Sequence, residues 1–185
     1  MTLSALRNSL SDYAKDTKLN LGKIFEDEGT PGLSQTQAHA VALASAFASK
    51  QPEVVAAIAA ETANLPAAHI EAAKAAATIM GMNNVYYRFA HLVSDKEYSQ
   101  MPANLRMNVI GAPGIDKVDF ELMSLAVSAI NGCGMCMEAH VHEVIKGGIS
   151  KQGVQSSIRI AAVIMAAAQA VSIAAMAPAA AAQAA

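Results

Sequence analysis

Hydrophobic and polar positions along this chain recur with a helical period almost from end to end. No run alternates with a strand's period of two for long enough to make a β-element. The pattern, cut at its turn and capping residues, predicts an all-α fold. A first helix covers 2–16, and Lys18-Leu19-Asn20-Leu21 runs on into a short connector. Gly29-Thr30-Pro31-Gly32 then breaks the chain. Ser34, with Gln37 three positions later, has the spacing of a capping box and opens a helix that runs to about Lys50. Pro52 starts another helix and Pro66 a third, through the Ile70 to Tyr87 region. Residues 94–113, with Pro102 and Pro113, read as an irregular bridge. Asp116 caps a helix ending at Ile130, and Asn131-Gly132 is a turn. Cys133 begins a helix that stops at Gly147-Gly148. Ser150 caps a last long helix to about Met176, and Pro178 with the alanine-glutamine tail is expected to fray.

Shifting the chain by 82 positions lays one half on the other. Gly32-Leu33-Ser34 falls on Gly114-Ile115-Asp116, and Glu61 falls on Glu143. Farther on, with a small insertion, Thr78-Ile79-Met80 falls on Val163-Ile164-Met165. The predicted organisation is one helical domain over 1–185. It holds a degenerate repeat over about 32–93 and a second repeat over about 114–176 that carries the chemistry. Gln51, Val54 and Ile58 take the places of Cys133, Cys136 and His140, and His39 stands opposite Glu121.

Composition narrows the classes. Thirteen Lys and Arg against 15 Asp and Glu leave a net charge of −2, with no basic patch for a nucleic-acid backbone. Charged residues are 15%, against about 25% in ordinary soluble domains. Polar surface is therefore too scarce to cover a monomer, and the expectation is an oligomer that buries apolar faces between subunits. The N-terminal residues lack the basic start and apolar core of a secretory signal. Ile160 to Met176 is the one membrane candidate, but it contains Gln169 and Ser172, is dominated by alanine and has no aromatic belt. It reads as a buried helix, and the expected location is the cytoplasm.

Both cysteines of the chain lie in Asn131-Gly132-Cys133-Gly134-Met135-Cys136-Met137-Glu138-Ala139-His140. On a helix starting at Cys133, Cys136, His140 and Glu143 fall within an arc of about 80°, while His142 faces away. The unpaired N–H groups and the dipole of a helix start favour thiolate over thiol. Neighbouring sulfurs close readily to a disulfide, and a histidine on their face can move a proton to or from sulfur. A cytosolic disulfide is more often transient and catalytic than structural. A zinc clip made from Cys133, Cys136, His140 and Glu143 is the competing reading. Structural zinc sites, however, usually draw ligands from two separated pairs. Covalent haem attachment needs histidine directly after the second cysteine, where Met137 stands. No metal, flavin or nucleotide motif is present, and without Gly-rich phosphate loops NAD(P)H is not expected to bind directly. Glu121, one helix earlier, reads either as a solvated first-turn carboxylate or as an acid turned inward toward His140.

The run 126–136, with Glu121 before it and His140 after it, resembles the alkyl hydroperoxide reductase D (AhpD) family of the carboxymuconolactone decarboxylase-like superfamily. Lys18-Leu19-Asn20-Leu21 and Met82-Asn83-Asn84-Val85-Tyr86-Tyr87-Arg88-Phe89 are similar to further stretches of that family. The resemblance implies an all-helical, internally duplicated homotrimer. It implies an antioxidant thiol-dependent peroxidase and disulfide reductase acting on organic hydroperoxides. Its dithiol would be reduced by dihydrolipoamide on a lipoyl-bearing acyltransferase and would in turn serve the peroxiredoxin AhpC. By the same resemblance Cys136 is the attacking thiolate, Cys133 its partner thiol, and Glu121 with His140 the proton relay. Gly134-Met135 stand between the cysteines where some relatives carry a histidine. Lactone decarboxylation, which needs no cysteine pair, is the alternative activity within the superfamily.

Overall fold

The computed structural model describes residues 1–176, and the predicted fraying of Pro178 and the tail lies outside them. Among the described residues there is no strand. The helices are α1 (Leu3–Ser9), α2 (Lys15–Lys23), α3 (Gln35–Ser49), α4 (Pro52–Glu61), α5 (Ala67–Leu92), the short turns α6 (Glu97–Gln100) and α7 (Asn108–Gly111), α8 (Lys117–Ile130), α9 (Gly134–Lys146) and α10 (Lys151–Met176).

Capping chemistry places most of the boundaries. Ser34 Oγ accepts the Gln37 N–H while Gln37 Oε1 accepts the Ser34 N–H, which completes the predicted capping box of α3. Pro52 occupies the first turn of α4, where its missing donor costs nothing. Asp116 Oδ1 accepts the Val118 N–H at the start of α8. α5 extends five residues beyond the predicted Tyr87. The bridge over 94–113 is irregular apart from the turns α6 and α7.

The first helix differs from expectation. The chain leaves α1 at Leu10, extends through Ser11, makes a 3₁₀ turn at Asp12–Ala14 and re-enters helix as α2, so Lys18–Leu21 is helical rather than a connector. Tertiary bonds account for the break. The Tyr13 hydroxyl donates to the Ala170 carbonyl at 3.0 Å, and Arg7 Nε donates to the Lys18 carbonyl at 3.1 Å. An unbroken helix would forgo these bonds, which fold α2 back beside α1.

α3 and α8 form the centre of the bundle. Each packs on the other and on α5 and α10. From Phe120 to Ser128 every residue of α8 is buried, and α3 is buried from Val41 to Ala46 largely through alanine, which lets helix axes approach closely. At the shared end of this pair, Gln37 Nε2 donates to Asp119 Oδ1 at 2.8 Å, and His69 Nε2 meets Asp119 Oδ2 at 3.2 Å. Among the described residues α10 alone is long and apolar enough to cross a membrane. Its Ile160, Ile164 and Ala167 are buried against the bundle, while Ala162, Ala166 and Gln169 on its other side are exposed.

The N-terminal end of α10 clasps the Gly29–Gly32 break. Ser156 Oγ donates to the Pro31 carbonyl and Arg159 Nη1 to the Gly29 carbonyl. Gly32 has φ +82°, and a Cβ on Gly153 would stand 2.5 Å from the Gly32 carbonyl oxygen. Gly153→Ala is expected to destabilise the protein by about 1–3 kcal/mol, the usual cost of overpacking. Urea denaturation of the variant against the parent measures it.

Candidate active site

The turn between α8 and α9 sets the geometry of the cysteines. α8 ends in a Schellman motif: the Cys133 N–H donates to the Ser128 carbonyl and the Gly132 N–H to the Ala129 carbonyl, with Gly132 left-handed at φ +69°. Glycine is the residue that enters this conformation without steric cost. Cys133 is thereby delivered as the N-cap of α9, and its Sγ accepts the Cys136 N–H at 3.3 Å. Gly134 is the first residue of the helix, one position later than predicted. Cys133 and Cys136 are joined in a disulfide. Cys133 is fully buried, whereas Cys136 is 7% exposed and lines a cavity.

His140 lies one turn after Cys136 on the same face of α9, as its spacing requires. Its Nδ1 stands 2.6 Å from Glu121 Oε2 on α8, and both side chains are buried. Glu121 is thus turned inward and is not a solvated first-turn carboxylate. His142 is exposed on the far side of α9, as predicted. Glu143 shares the cysteine face by rotation but lies outside the site, where its Oε2 stands 3.4 Å from Lys117 Nζ. The four side chains of the zinc reading are not drawn around one point. Among the described residues no cluster of three or more His, Cys, Asp or Glu side chains could hold a metal ion.

The cavity, of about 260 Å³, opens beside Cys136 and His140. Met80, Asn83 and Tyr87 line it from α5, Met107 and Ile110 from the bridge, and Met135 and Ala139 from α9. The bridge therefore forms one wall of the site. Sequence patterning leaves these wall residues without a role. Asn83 and Tyr87 do fall inside the family-like stretch 82–89, and Met80 lies two residues before it.

A buried amide ties the wall to the cysteine turn. Asn84 Nδ2 donates to Ser128 Oγ at 2.9 Å, and Asn84 Oδ1 accepts from Asn131 Nδ2 at 2.9 Å. Arg88, one turn on, donates to the Asn131 carbonyl at 2.6 Å. The signal in the sequence was a pair of adjacent amides, Asn83-Asn84, in the middle of a helix that is otherwise mostly apolar. Asparagine is a poor helix former, and Asn84 is held inside the helix by its partners, whereas the buried Asn83 Oδ1 has none in the protein.

In the first half, the positions matching Cys133, Cys136 and His140 hold Gln51, Val54 and Ile58, none of which carries thiol or imidazole chemistry. His39, matching Glu121, packs edge-on to Phe25. Burial pushes its imidazole below the ordinary value of 6.5, and the Glu61 carboxylate partly opposes that shift.

At the level of class, this is an all-α protein whose buried chemistry is a cysteine pair at a helix start beside a carboxylate–imidazole pair. The profile of the carboxymuconolactone decarboxylase family matches residues 96–182. The alkyl hydroperoxide reductase AhpD of Coxiella burnetii is 53% identical over 163 residues, covering 88% of this chain and 92% of that protein. That of Rhodospirillum centenum is 53% identical over 165 residues, covering 89% and 87%. That of Brucella suis is 50% identical over 169 residues, covering 91% and 95%. The chain belongs to the AhpD family, within the carboxymuconolactone decarboxylase-like superfamily.

Removing the Asn84 amide strands the Ser128 hydroxyl and the Asn131 amide. Asn84→Ala is expected to cost about 1–3 kcal/mol of stability, the penalty for buried groups left without partners. A shift of the denaturation midpoint at unchanged m-value checks it.

Proposed function

We propose that this protein is an antioxidant alkyl hydroperoxide reductase whose working group is the Cys133–Cys136 pair. One observation carries the reading. Cys136, bonded to the buried Cys133, lines a cavity together with His140, whose Nδ1 stands 2.6 Å from the buried Glu121 carboxylate. A dithiol at a helix start with an oriented imidazole one turn away is equipped for thiolate attack and for the proton transfers that accompany it.

Reduced Cys136 is the attacking thiolate, because it is the sulfur that lines the cavity. It attacks the terminal oxygen of an organic hydroperoxide: the O–O bond breaks, the alkoxide leaves and takes a proton to become the alcohol, and Cys136 keeps the terminal oxygen as a sulfenic acid. The Cys133 thiol then attacks that sulfur, water leaves, and the disulfide forms. Attack on a partner's disulfide follows the same course through a mixed disulfide. The partner oxidant is the peroxiredoxin AhpC. Electrons return from dihydrolipoamide carried on a lipoyl-bearing acyltransferase, and no other cofactor is required. His140 passes the protons, and Glu121 fixes its ring orientation and tautomer. The largely apolar wall of the cavity suits the alkyl portion of the peroxide.

We place the protein in the cytoplasm and assemble it as a homotrimer. The exposed apolar side chains Val85, Phe89 and Leu92 along α5, with Tyr98 and Met101 beyond it, support burial between subunits. Residues 32–93 and 114–176 are copies of one ancestral unit. In support, α3, α4 and α5 match α8, α9 and α10 in order, and α3 and α4 start 82 positions before α8 and α9. Left-handed residues recur at the same interval, Gly32 with Gly114 and Lys50 with Gly132. Gln37 and Asp119, equivalent positions in the two copies, are hydrogen-bonded to each other.

A coupled assay with dihydrolipoamide and an organic hydroperoxide, with and without AhpC, tests the reading. Cys136→Ser is expected to abolish turnover, and full activity in that variant would refute the assignment of the attacking sulfur. His140→Phe is expected to slow the reaction by roughly 10²-fold, the scale of a positioned acid–base group; an unchanged rate would leave His140 with a packing role only. Ile110→Asp, at the cavity wall, is expected to lower kcat/KM for a bulky alkyl hydroperoxide by roughly tenfold and for hydrogen peroxide by much less. Equal losses on the two substrates would argue against the cavity as the alkyl site.

A further inference from the structure

The second nitrogen of His140 has a partner that the proton relay as proposed does not use. Its Nε2 lies 3.3 Å from Met80 Sδ on α5. Met80 is 1% exposed, and its sulfur also receives a long contact from Asn84 Nδ2 at 3.9 Å. The other amide hydrogen of Asn84 goes to Ser128 Oγ. The thioether is thus buried, bounded by polar groups on two sides, and at the edge of the cavity that Cys136 lines.

A thioether can only accept a hydrogen bond. An imidazole nitrogen without hydrogen is also only an acceptor, and pressing two lone-pair surfaces together in a buried site has no compensation. A hydrogen on Nε2 removes the conflict. On the other side of the ring, the 2.6 Å contact between Nδ1 and Glu121 Oε2 needs a hydrogen as well, whichever atom carries it. With a hydrogen on Nε2 as well, the Glu121–His140 pair of the disulfide form would hold two hydrogens, one shared between the partners and one facing Met80.

We propose that Met80 is a positioning residue: its sulfur holds the Nε2 hydrogen of His140 in place while the disulfide is closed, ready for the Cys136 sulfur when the bond is opened. This rests on the reductase reading above. The balance is as follows for a dithiol donor that presents one thiolate and one thiol. The thiolate attacks Cys136 Sγ, the Cys133–Cys136 bond breaks, and Cys133 leaves as a thiolate. Cys133 takes the proton of the donor's second thiol. The thiolate so formed attacks the mixed disulfide, the donor leaves as its cyclic disulfide, and Cys136 is released as a thiolate. That thiolate takes the hydrogen from His140 Nε2 as a proton, to be given back to Nε2 when Cys136 next attacks as the thiolate. The donor has lost two electrons, the protein disulfide has gained them, and the pair is left with the single hydrogen it shares with Glu121. Cys136 is one helical turn from His140 and lines the same cavity, which suits it to receive that proton.

Histidine-¹⁵N-labelled full-length protein in the disulfide form tests this by long-range proton–nitrogen correlation. The His140 signals are assigned by comparison with His140→Phe. The wild type is expected to show Nε2 carrying hydrogen. Met80→Leu, which keeps the shape and removes the acceptor, is expected to move that resonance to the hydrogen-free region under the same buffer. It is also expected to slow disulfide opening by dihydrolipoamide roughly tenfold, a part of the 10²–10⁴ that a whole acid–base group supplies. Met80→Gln, whose side-chain carbonyl can accept the same hydrogen, is expected to restore the signal and most of the rate; it also serves as the test should the leucine variant fail to fold. A hydrogen-free Nε2 in the wild type, or an Nε2 signal unchanged in Met80→Leu, would overturn the proposal. Protein that shows the Nε2 hydrogen and its loss in Met80→Leu, yet reduces no peroxide, would overturn the reductase reading and leave the hydrogen placement supported.

Discussion

The hydrogen bond between Glu121 and His140 joins two polar side chains that neither helix could bury alone. Leaving a carboxylate or an imidazole in an apolar interior without a partner costs several kcal/mol, so each is tolerated inside because the other is there. The pair fixes how α8 and α9 face each other, and that relation fixes where the cysteine pair opens. A buried hydrogen-bonded pair of this kind holds its members in one geometry more strictly than apolar packing does. The alanine-rich contact of α3 with α8 supplies the rigid backing that keeps Glu121 from turning outward.

Asn84 extends the constraint to the backbone. Its amide reaches Ser128 and Asn131, Ser128 supplies the carbonyl that takes the Cys133 N–H, and Met80 one turn earlier meets His140. A single helix, α5, therefore touches both the His140 imidazole and the turn that carries the cysteines. With Arg88 on the Asn131 carbonyl, three successive turns of α5 hold the site from one side.

Local chemistry made much of this legible in advance. The cap at Ser34, the prolines at 52 and 66, the Asn131-Gly132 turn and the stop at Gly147-Gly148 each act within a few residues, so their consequences could be read from neighbours alone. The shared face of Cys136 and His140 follows from helical rotation. The break after α1 was not readable, because its cause, the Tyr13 hydroxyl on the Ala170 carbonyl, lies 157 positions away. Glu121 was ambiguous for a similar reason. A carboxylate near a helix start satisfies local rules whether it faces water or core, and only the packing of α9 decides. The cavity wall was silent because methionine and isoleucine on a helix look the same whether they fill a core or line a pocket.

The clasp of α10 on the Gly29–Gly32 break bears on how the chain can fold as it is made. Ser156 and Arg159 bond to carbonyls 125 and 130 positions earlier, and Tyr13 waits for Ala170. Contacts of such separation reward the chain only after nearly all of its loop-closure entropy has been spent. α2 is synthesised well before α10, and until α10 follows, α2 lacks the helix it packs on. The interval between the synthesis of these two parts is the one in which a nascent chain would most need protection from aggregation.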